Sequence, residues 1–214
     1  LSPFTKASGI IVHINLKQFP FMRISIFLSL VFLFFTAESI AQSYTIDAGH
    51  STVQIQVERF GVVDVVGRFK EVAGTIQFDA EDPSKTSANA TIQVASYDAN
   101  NKGGEDAVKS AAFLDAAKFP QMSFESTGIA ERDGTTYLKG NLSIHGVTNE
   151  IELPFEIKGP LMDLPTQKQS IAFNAAITID RQDYGISFDR KLPNGTSLIG
   201  NDVKITLRVL AIAE

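Results

Sequence analysis

Asp47, His50 and Ser51 lie within five positions of one another and supply the residue types of a hydrolytic triad. Neighbours on an extended chain point to opposite faces, however, so His50 is badly placed to activate Ser51, and no catalysis is expected there. The other histidine beyond the leader is His145, in Ile144-His145-Gly146. A zinc site needs three or four ligands, and the sequence has no cysteine and no His-Glu-x-x-His or His-x-x-x-His spacing. Each histidine therefore reads as structural. Gly103-Gly104 lacks the Lys-Ser/Thr continuation that a phosphate loop requires. Arg181 stands between Asp180 and Asp183 and reads as half of a strand-end salt bridge; the alternative is a cation that closes one end of the fold or meets a ligand head group.

The elements that must position these residues alternate. Over residues 151–158 the apolar side chains Ile151, Leu153, Phe155 and Ile157 are separated by polar Glu152, Glu156 and Lys158. The same rhythm runs through 53–57, 74–78, 88–94, 138–144, 171–179 and 203–211. Successive side chains of a strand face opposite ways, so each segment has one apolar and one polar face. Strands are expected over 44–46, 52–58, 64–69, 72–79, 89–96, 122–126, 137–144, 150–158, 170–180 and 202–211. Turns fall at Asp82-Pro83-Ser84, Arg132-Asp133-Gly134, His145-Gly146 and Pro193-Asn194-Gly195, with Gly61, Gly67 and Gly74 at turns or bulges and 159–168 as a loop.

Only residues 105–115 break the period. Ala107, Val108, Ala111, Ala112 and Leu114 suit a helix, with Glu105 and Asp106 at its dipole-favoured end and the polar 100–104 run as a hinge before it. Glu105, Asp106 and Lys109 are expected to stay wet, and Phe113, Phe119 and Phe124 to cluster around this helix. Many short strands with one helix midway mean an all-β sandwich or barrel. Gly74, Ala88, Ala90, Gly140, Ala175 and Ala211 are small residues on apolar faces opposite Phe78, Phe155 and Phe173. That leaves either tight interdigitation or an internal space, and periodicity does not choose between them.

Residues 1–41 lie outside the pattern. Met22-Arg23, an apolar run over 24–35 and small Ser39 and Ala41 make a secretory signal peptide over 22–41, cleaved after Ala41. The apolar run is short of the roughly 18–20 residues of a membrane span. Residues 1–21 read as upstream mistranslated leader, and 42–214 as one domain exported to the periplasm or secreted. The chain carries 19 basic against 24 acidic residues, without a basic cluster, which argues against nucleic acid. With no cysteine, the domain has no disulfides and is held by its core and strand ladders. Asn89-Ala-Thr91, Asn141-Leu-Ser143 and Asn194-Gly-Thr196 read as chance sequons.

Five ordered motifs resemble the YceI family of secreted, lipocalin-like barrels across residues 44–213. They are Tyr44-x-Ile46-Asp47-x-x-His50-Ser51-x-Val53; Gly67-x-Phe69 with Gly74-x-Ile76-x-Phe78-Asp79; Phe113-Leu114-Asp115-x-x-x-Phe119-Pro120-x-Met122-x-Phe124-x-Ser126; Gly140-x-Leu142-x-Ile144-His145-Gly146-Val147-Thr148; and Arg181-x-Asp183-Tyr184-Gly185-Ile186. Residues 107–112 depart from the family's frequent His-Leu-Arg-Ser, so no polar contact is carried over to that helix. The resemblance implies an antiparallel lipocalin-like β-barrel of about eight strands with one short helix. It also implies a binding protein, not an enzyme, holding a long isoprenoid or similar amphiphilic lipid, a quinone-like molecule included, with no cofactor and no stable membrane insertion. Some members of the family are tied to stress tolerance or to quinone-linked processes. A homodimer is compatible with it.

The expected lipid-contacting residues are Phe69, Ile76, Phe78, Ile92, Leu142, Ile144, Phe155, Phe173 and Ile177 on inward strand faces, with Phe113, Leu114 and Phe124 near the helix. The competing reading is an integral outer-membrane barrel, with apolar faces turned outward to lipid. Against it stand the numerous charged residues on the polar faces and strands shorter than the roughly 9–11 residues needed to cross. A hydrolase is the weaker third reading.

Overall fold

The computed structural model describes residues 41–214; the expectations for the leader fall on residues 1–40, outside that range. Alternating segments become eleven strands. The first six are β1 (Gln42–Ile46), β2 (Thr52–Arg59), β3 (Val63–Phe69), β4 (Val72–Phe78), β5 (Ser87–Gln93) and β6 (Tyr97–Asp98). They are followed by α1 (Lys102–Lys109) and then β7 (Gln121–Arg132), β8 (Thr135–Ile144), β9 (Val147–Asp163), β10 (Lys168–Asp180) and β11 (Ile199–Ala213). All pair antiparallel, and β1 bonds to both β4 (Tyr44 opposite Ile76) and β11 (Tyr44 opposite Ala213), which closes the sheet. The result is an eight-stave antiparallel barrel with one α-helix among the described residues.

Three staves are broken, which is why eight become eleven. The β1–β2 stave bends at a 3-10 turn over Ala48–His50, opened by Asp47 Oδ1 accepting the Gly49 N–H at 2.9 Å. The β3–β4 stave bends at Lys70-Glu71, whose backbone N–H groups both donate to Ser96 Oγ at 3.2 and 3.1 Å. Ser96 itself ends the 3-10 turn Val94–Ser96 that splits β5 from β6, where a single strand over 89–96 is expected from the alternation. Each bend shifts the inward parity. Tyr44 and Ile46 pack inward before the first break, Val53 and Ile55 after it. The hydroxyls of Ser51 and Ser96 replace the ladder bonds that a bend removes, as buried backbone groups demand.

Two hairpins are longer than the sequence implies. β7 runs on to Arg132 after a register shift at Ser126/Gly128. Residues 159–163, expected in a loop, continue β9, with Gly159 at φ +107 absorbing a bulge opposite Ser170 and Ala172. Gly67 and Gly74 lie inside β3 and β4, against Tyr97 and the Asn89 carbonyl, not at turns.

The helix starts three residues before the expected position and ends six earlier. Asn101 caps it by accepting the Gly104 N–H at 3.4 Å, while Glu105 Oε1 accepts the N–H groups of Asn101 and Ala99 at 3.3 and 3.2 Å. This reciprocal cap draws Gly103 and Gly104 into the first turn despite their low helix propensity. They form helix, not hinge. Ser110 is extended and ends the helix, and tight turns carry the chain through 111–118.

Apolar side chains fill the barrel in two clusters. One, holding Tyr44, Phe78, Leu138, Leu153, Ile171, Phe173 and Ala211, packs the end where the β7–β8 and β9–β10 hairpins lie. The other, holding Val53, Phe69, Val72, Leu114, Met122, Ile144, Tyr184 and Ile186, underlies the end with α1 and the residues after β10.

Candidate ligand cavity

Between and through the two clusters runs a cavity of about 700 Å³, within the size of pockets that enclose small organic guests. Its walls are the inward faces of the strands: Ile46, Val53 and Ile55 on the first stave, Ile76, Ala88 and Ala90 on the next two, and Val203, Ile205, Leu207 and Val209 on β11. The small residues thus do both things the sequence allowed. Ala88 and Ala90 leave space, whereas Gly140 is covered by Phe124: a Cβ there would sit 2.5 Å from the Phe124 ring and 2.5 Å from the Glu125 carbonyl.

Ten of the expected contact residues line this cavity: Phe69, Ile76, Ile92, Phe113, Leu114, Phe124, Leu142, Ile144, Phe173 and Ile177. Phe78 and Phe155 do not. Phe78 is buried in the packed end cluster, and Phe155 stacks on Phe173 with ring centroids 5.2 Å apart. They support the floor without lining it. The β2 and β11 wall residues follow the same alternation as every other strand of the barrel, so nothing in the sequence distinguishes them.

The cavity reaches outward past Val57, Arg59, Val65 and Val66 of the β2–β3 hairpin and beneath Asn101, Gly103, Gly104, Ala107 and Val108 of α1. The helix therefore covers the cavity with its first-turn glycines and Val108, while Ala112 is exposed beyond it. Of the three charged residues expected to stay wet, only Asp106 does so. Glu105 is half-buried in the cap, and Lys109 Nζ donates to the Tyr97 carbonyl at 3.3 Å. The three phenylalanines do not cluster: Phe113 meets Phe188 at 4.9 Å, Phe119 meets His145 at 4.6 Å, and Phe124 points into the barrel.

Polar side chains on the wall are few. Arg181 is buried and makes no ion pair among the described residues, which corrects the salt-bridge reading. Its Nε donates to the Gly200 carbonyl at 3.0 Å, Nη2 to the Phe188 carbonyl at 2.6 Å and to Asn201 Oδ1 at 3.0 Å, and Nη1 to the Ile186 carbonyl. One guanidinium thus ties the 186–188 segment to the start of β11 and closes that side of the barrel end. Burial holds its pKa below the usual arginine value. Tyr184 is 2% exposed, and its hydroxyl has no hydrogen-bond partner. Burial pushes the pKa of Tyr184 and that of Tyr97 up, so both phenols stay protonated.

The residue types of hydrolysis are not assembled. His50 Nδ1 pairs with Asp47 Oδ2 at 2.7 Å on the surface, while Ser51 Oγ donates to the Leu210 carbonyl and accepts the Leu210 N–H. His145 Nδ1 lies 3.3 Å from the Tyr184 carbonyl, with its ring against Phe119. Among the described residues no group of three or more His, Cys, Asp or Glu could hold a metal ion.

The outer strand faces carry exposed Glu58, Glu125, Glu150, Glu156, Lys204 and Arg208. Among the described residues, large exposed apolar side chains are confined to two hairpins, Val62, Val63 and Val66 at one end and Leu161, Met162 and Leu164 at the other. A lipid-facing barrel needs the reverse, an apolar belt around its waist. Among the described residues no helix is long and apolar enough to cross a membrane.

Residues 44–211 match the family model of the YceI-like domain. The chain is 33% identical over 159 residues to Protein YceI of Salmonella arizonae, covering 73% of this chain and 83% of that protein. Among solved structures it is similar to BcnA of Burkholderia cenocepacia, with a TM-score of 0.67, 25% identity and coverage of 77% of this chain and 98% of that one. A polyisoprenoid binding domain from Saccharophagus degradans, implicated in plant cell wall breakdown, shares the fold at a TM-score of 0.63 and 16% identity, covering 82% and 99% of the two chains.

Proposed function

The chain belongs to the YceI-like family, and on that premise we propose that it is an exported, non-catalytic binding protein that encloses a long isoprenoid or similar amphiphilic lipid. The observation that carries this reading is the apolar cavity of about 700 Å³ running along the barrel interior. Each Å² of hydrocarbon it removes from water contributes roughly 25 cal/mol, so a tail of several isoprene units binds without a strong polar anchor. The Saccharophagus degradans domain, described as binding polyisoprenoid, has the same fold and supports this class of guest. The separation of His50 from Ser51, each engaged elsewhere, supports binding without catalysis.

Two measurements test it. Native mass spectrometry of protein purified from its own host is expected to show a stoichiometric long-chain lipid; protein that is empty and takes up no polyprenol on incubation overturns the reading. Fractionation with N-terminal sequencing is expected to find the protein in the periplasm or medium, beginning at Gln42 after signal-peptide cleavage. A cytoplasmic protein retaining residues 22–41 overturns the export.

A further inference from the structure

Hairpin turns are ordinarily built from glycine and polar residues. The β2–β3 turn instead reads Phe60-Gly61-Val62-Val63, with Val62 81% and Val63 53% exposed, and Val66 of β3 is exposed beside them. The turn is tied down. Phe60 and Gly61 both take positive φ, the Val62 N–H donates to the Arg59 carbonyl at 3.2 Å, and the Phe60 N–H donates to the Leu198 carbonyl at 3.0 Å. The valines are thus held out in solvent by a defined backbone. Apolar side chains clustered in water mark an interaction surface, where singly scattered ones do not.

Its place on the barrel says what it meets. Arg59, Val66, Asn101, Gly103 and Ala107 line the cavity and are themselves exposed, so the cavity reaches the surface between the β2–β3 hairpin and α1. The apolar tip stands at that mouth. The other exposed apolar hairpin, with Leu161, Met162 and Leu164, lies at the packed end, and none of its three residues lines the cavity.

The hairpin also sorts its charges by face. Glu58 pairs across the strands with Asp64, and Gln56 Nε2 donates to Asp64 at 2.7 Å on that outer side. Arg59 pairs with Val63 on the opposite side, the face that carries cavity-lining Val57 and Val65. Its guanidinium is exposed, lies 4.1 Å from the Phe60 ring centroid and makes no ion pair among the described residues. A free cation beside apolar tips fits a surface that is anionic above and hydrocarbon below. Three valines expose far less than the roughly 800 Å² that each partner gives to a stable protein interface. A bilayer requires no such shaped area.

We infer that the β2–β3 tip is a membrane-docking surface: Val62, Val63 and Val66 rest in the head-group layer of a phospholipid bilayer, with Arg59 at the lipid phosphates, and the cavity mouth faces the bilayer. The contact is shallow and reversible and inserts no span. It rests on the lipid-binding reading above, and it lets an apolar tail pass between bilayer and cavity without crossing water.

The chain has no tryptophan, so one placed at either exposed hairpin reports alone. Val62→Trp and Leu164→Trp both change surface positions, and each adds the same aromatic ring. With vesicles of phosphatidylethanolamine and phosphatidylglycerol, the emission of Val62→Trp is expected to shift to the blue and to be quenched by lipids brominated near the head group, while that of Leu164→Trp stays as in water. No shift at Val62→Trp, or an equal shift at Leu164→Trp, overturns the docking surface.

Val62→Asp with Val63→Asp is expected to weaken vesicle binding about tenfold or more, the size of one buried valine lost. The same variant should slow transfer of a polyprenol from vesicles, yet take up as much polyprenol delivered from detergent as wild type, because neither residue lines the cavity. Unslowed transfer overturns the docking surface, as does a wild-type dimer in sedimentation that the variant dissolves, since the tip would then meet a second copy. Vesicle binding at the Val62 tip by protein that takes up no polyprenol from either source would overturn the lipid-binding reading and leave the docking surface standing.

Discussion

Phe155 stacks on Phe173 with ring centroids 5.2 Å apart and planes 14° from parallel, and only Phe173 of the two faces the cavity. The pair is the boundary between a packed end and a hollow one. Residues 151–158 place Ile151 and Leu153 on the wall and Phe155, two residues further on the same face, beneath the floor.

Phe155→Ala is expected to deepen the cavity beyond Phe173 and to cost about 2–4 kcal/mol of stability through lost burial and the space left behind. Urea unfolding measures the cost. A polyprenol length series read by native mass spectrometry should shift toward longer chains, and an unchanged length preference would place the floor elsewhere.

Gly140→Ala tests the tight side of the barrel. The added methyl meets the Glu125 carbonyl oxygen and the Phe124 ring at 2.5 Å, and the backbone cannot retreat as a flexible side chain can. A loss of about 1–3 kcal/mol is expected from this overpacking, with Phe124 pushed into the cavity and guest capacity reduced. Gly195→Ala, with nothing near the added methyl, is not a neutral control, because its φ of +87 strains any side chain. Gly128→Ala, in open space without that constraint, is the proper comparison.

Arg181→Lys keeps the charge and loses the fork. A single ammonium cannot reach the carbonyls of Ile186, Phe188 and Gly200 together, and each acceptor left dry costs about 1–3 kcal/mol. The amides of residues 186–198 are expected to exchange faster in the variant, while those of β7 and β8 hold. Uniform loss of protection would mean that Arg181 supports the whole barrel and not one segment.

The Asp47–His50 pair makes a pH prediction with two signs. The hydrogen bond that His50 donates to Asp47, and then the Asp47 charge, raise the His50 pKa; the same hydrogen bond lowers that of Asp47. The raised imidazole contributes stability below its unfolded value near 6.5, lost as pH rises through the higher folded value. The lowered carboxylate contributes above its unfolded value near 4, lost as pH falls through the lower folded value. The pair therefore helps most between about pH 4 and 6.5. His50 lies in full solvent, so the effect on stability is small and salt-sensitive. Asp47→Asn should lower the His50 midpoint in an NMR titration; an unmoved midpoint would dissolve the pair.

Helix α1 covers the cavity with Gly103, Gly104, Ala107 and Val108, and none of its residues is fully buried. It is held by its own cap, the Lys109–Tyr97 bond and the packing of Val108 against the adjoining cluster. Amides of residues 102–109 are expected to be weakly protected in empty protein and to gain protection when a lipid is loaded, by hydrogen exchange. Strong protection in both forms would make the helix a fixed plug.

The two-residue alternation by itself determined that the strands would have one apolar face, and the ordered motifs determined the barrel that those faces line. Inward and outward positions read from residues 151–158 and 203–211 stand as read, because strand periodicity is local and survives any tertiary arrangement. Local chemistry that competes with periodicity was less legible. The Asn101 cap and Glu105 carboxylate outweighed two glycines to start the helix early, and Ser51 and Ser96 supplied the bonds that let three staves bend. Whether Ala88 and Gly140 meant room or contact was decided only in three dimensions, by which side chain each one faces across the barrel. The same is true of Arg181 and Tyr184. In sequence Arg181 sits among acids that would pair with it, but the turn after β10 carries it into the interior, where backbone carbonyls claim it. Burial and partnership are properties of the assembled wall and not of either residue's neighbours in the chain.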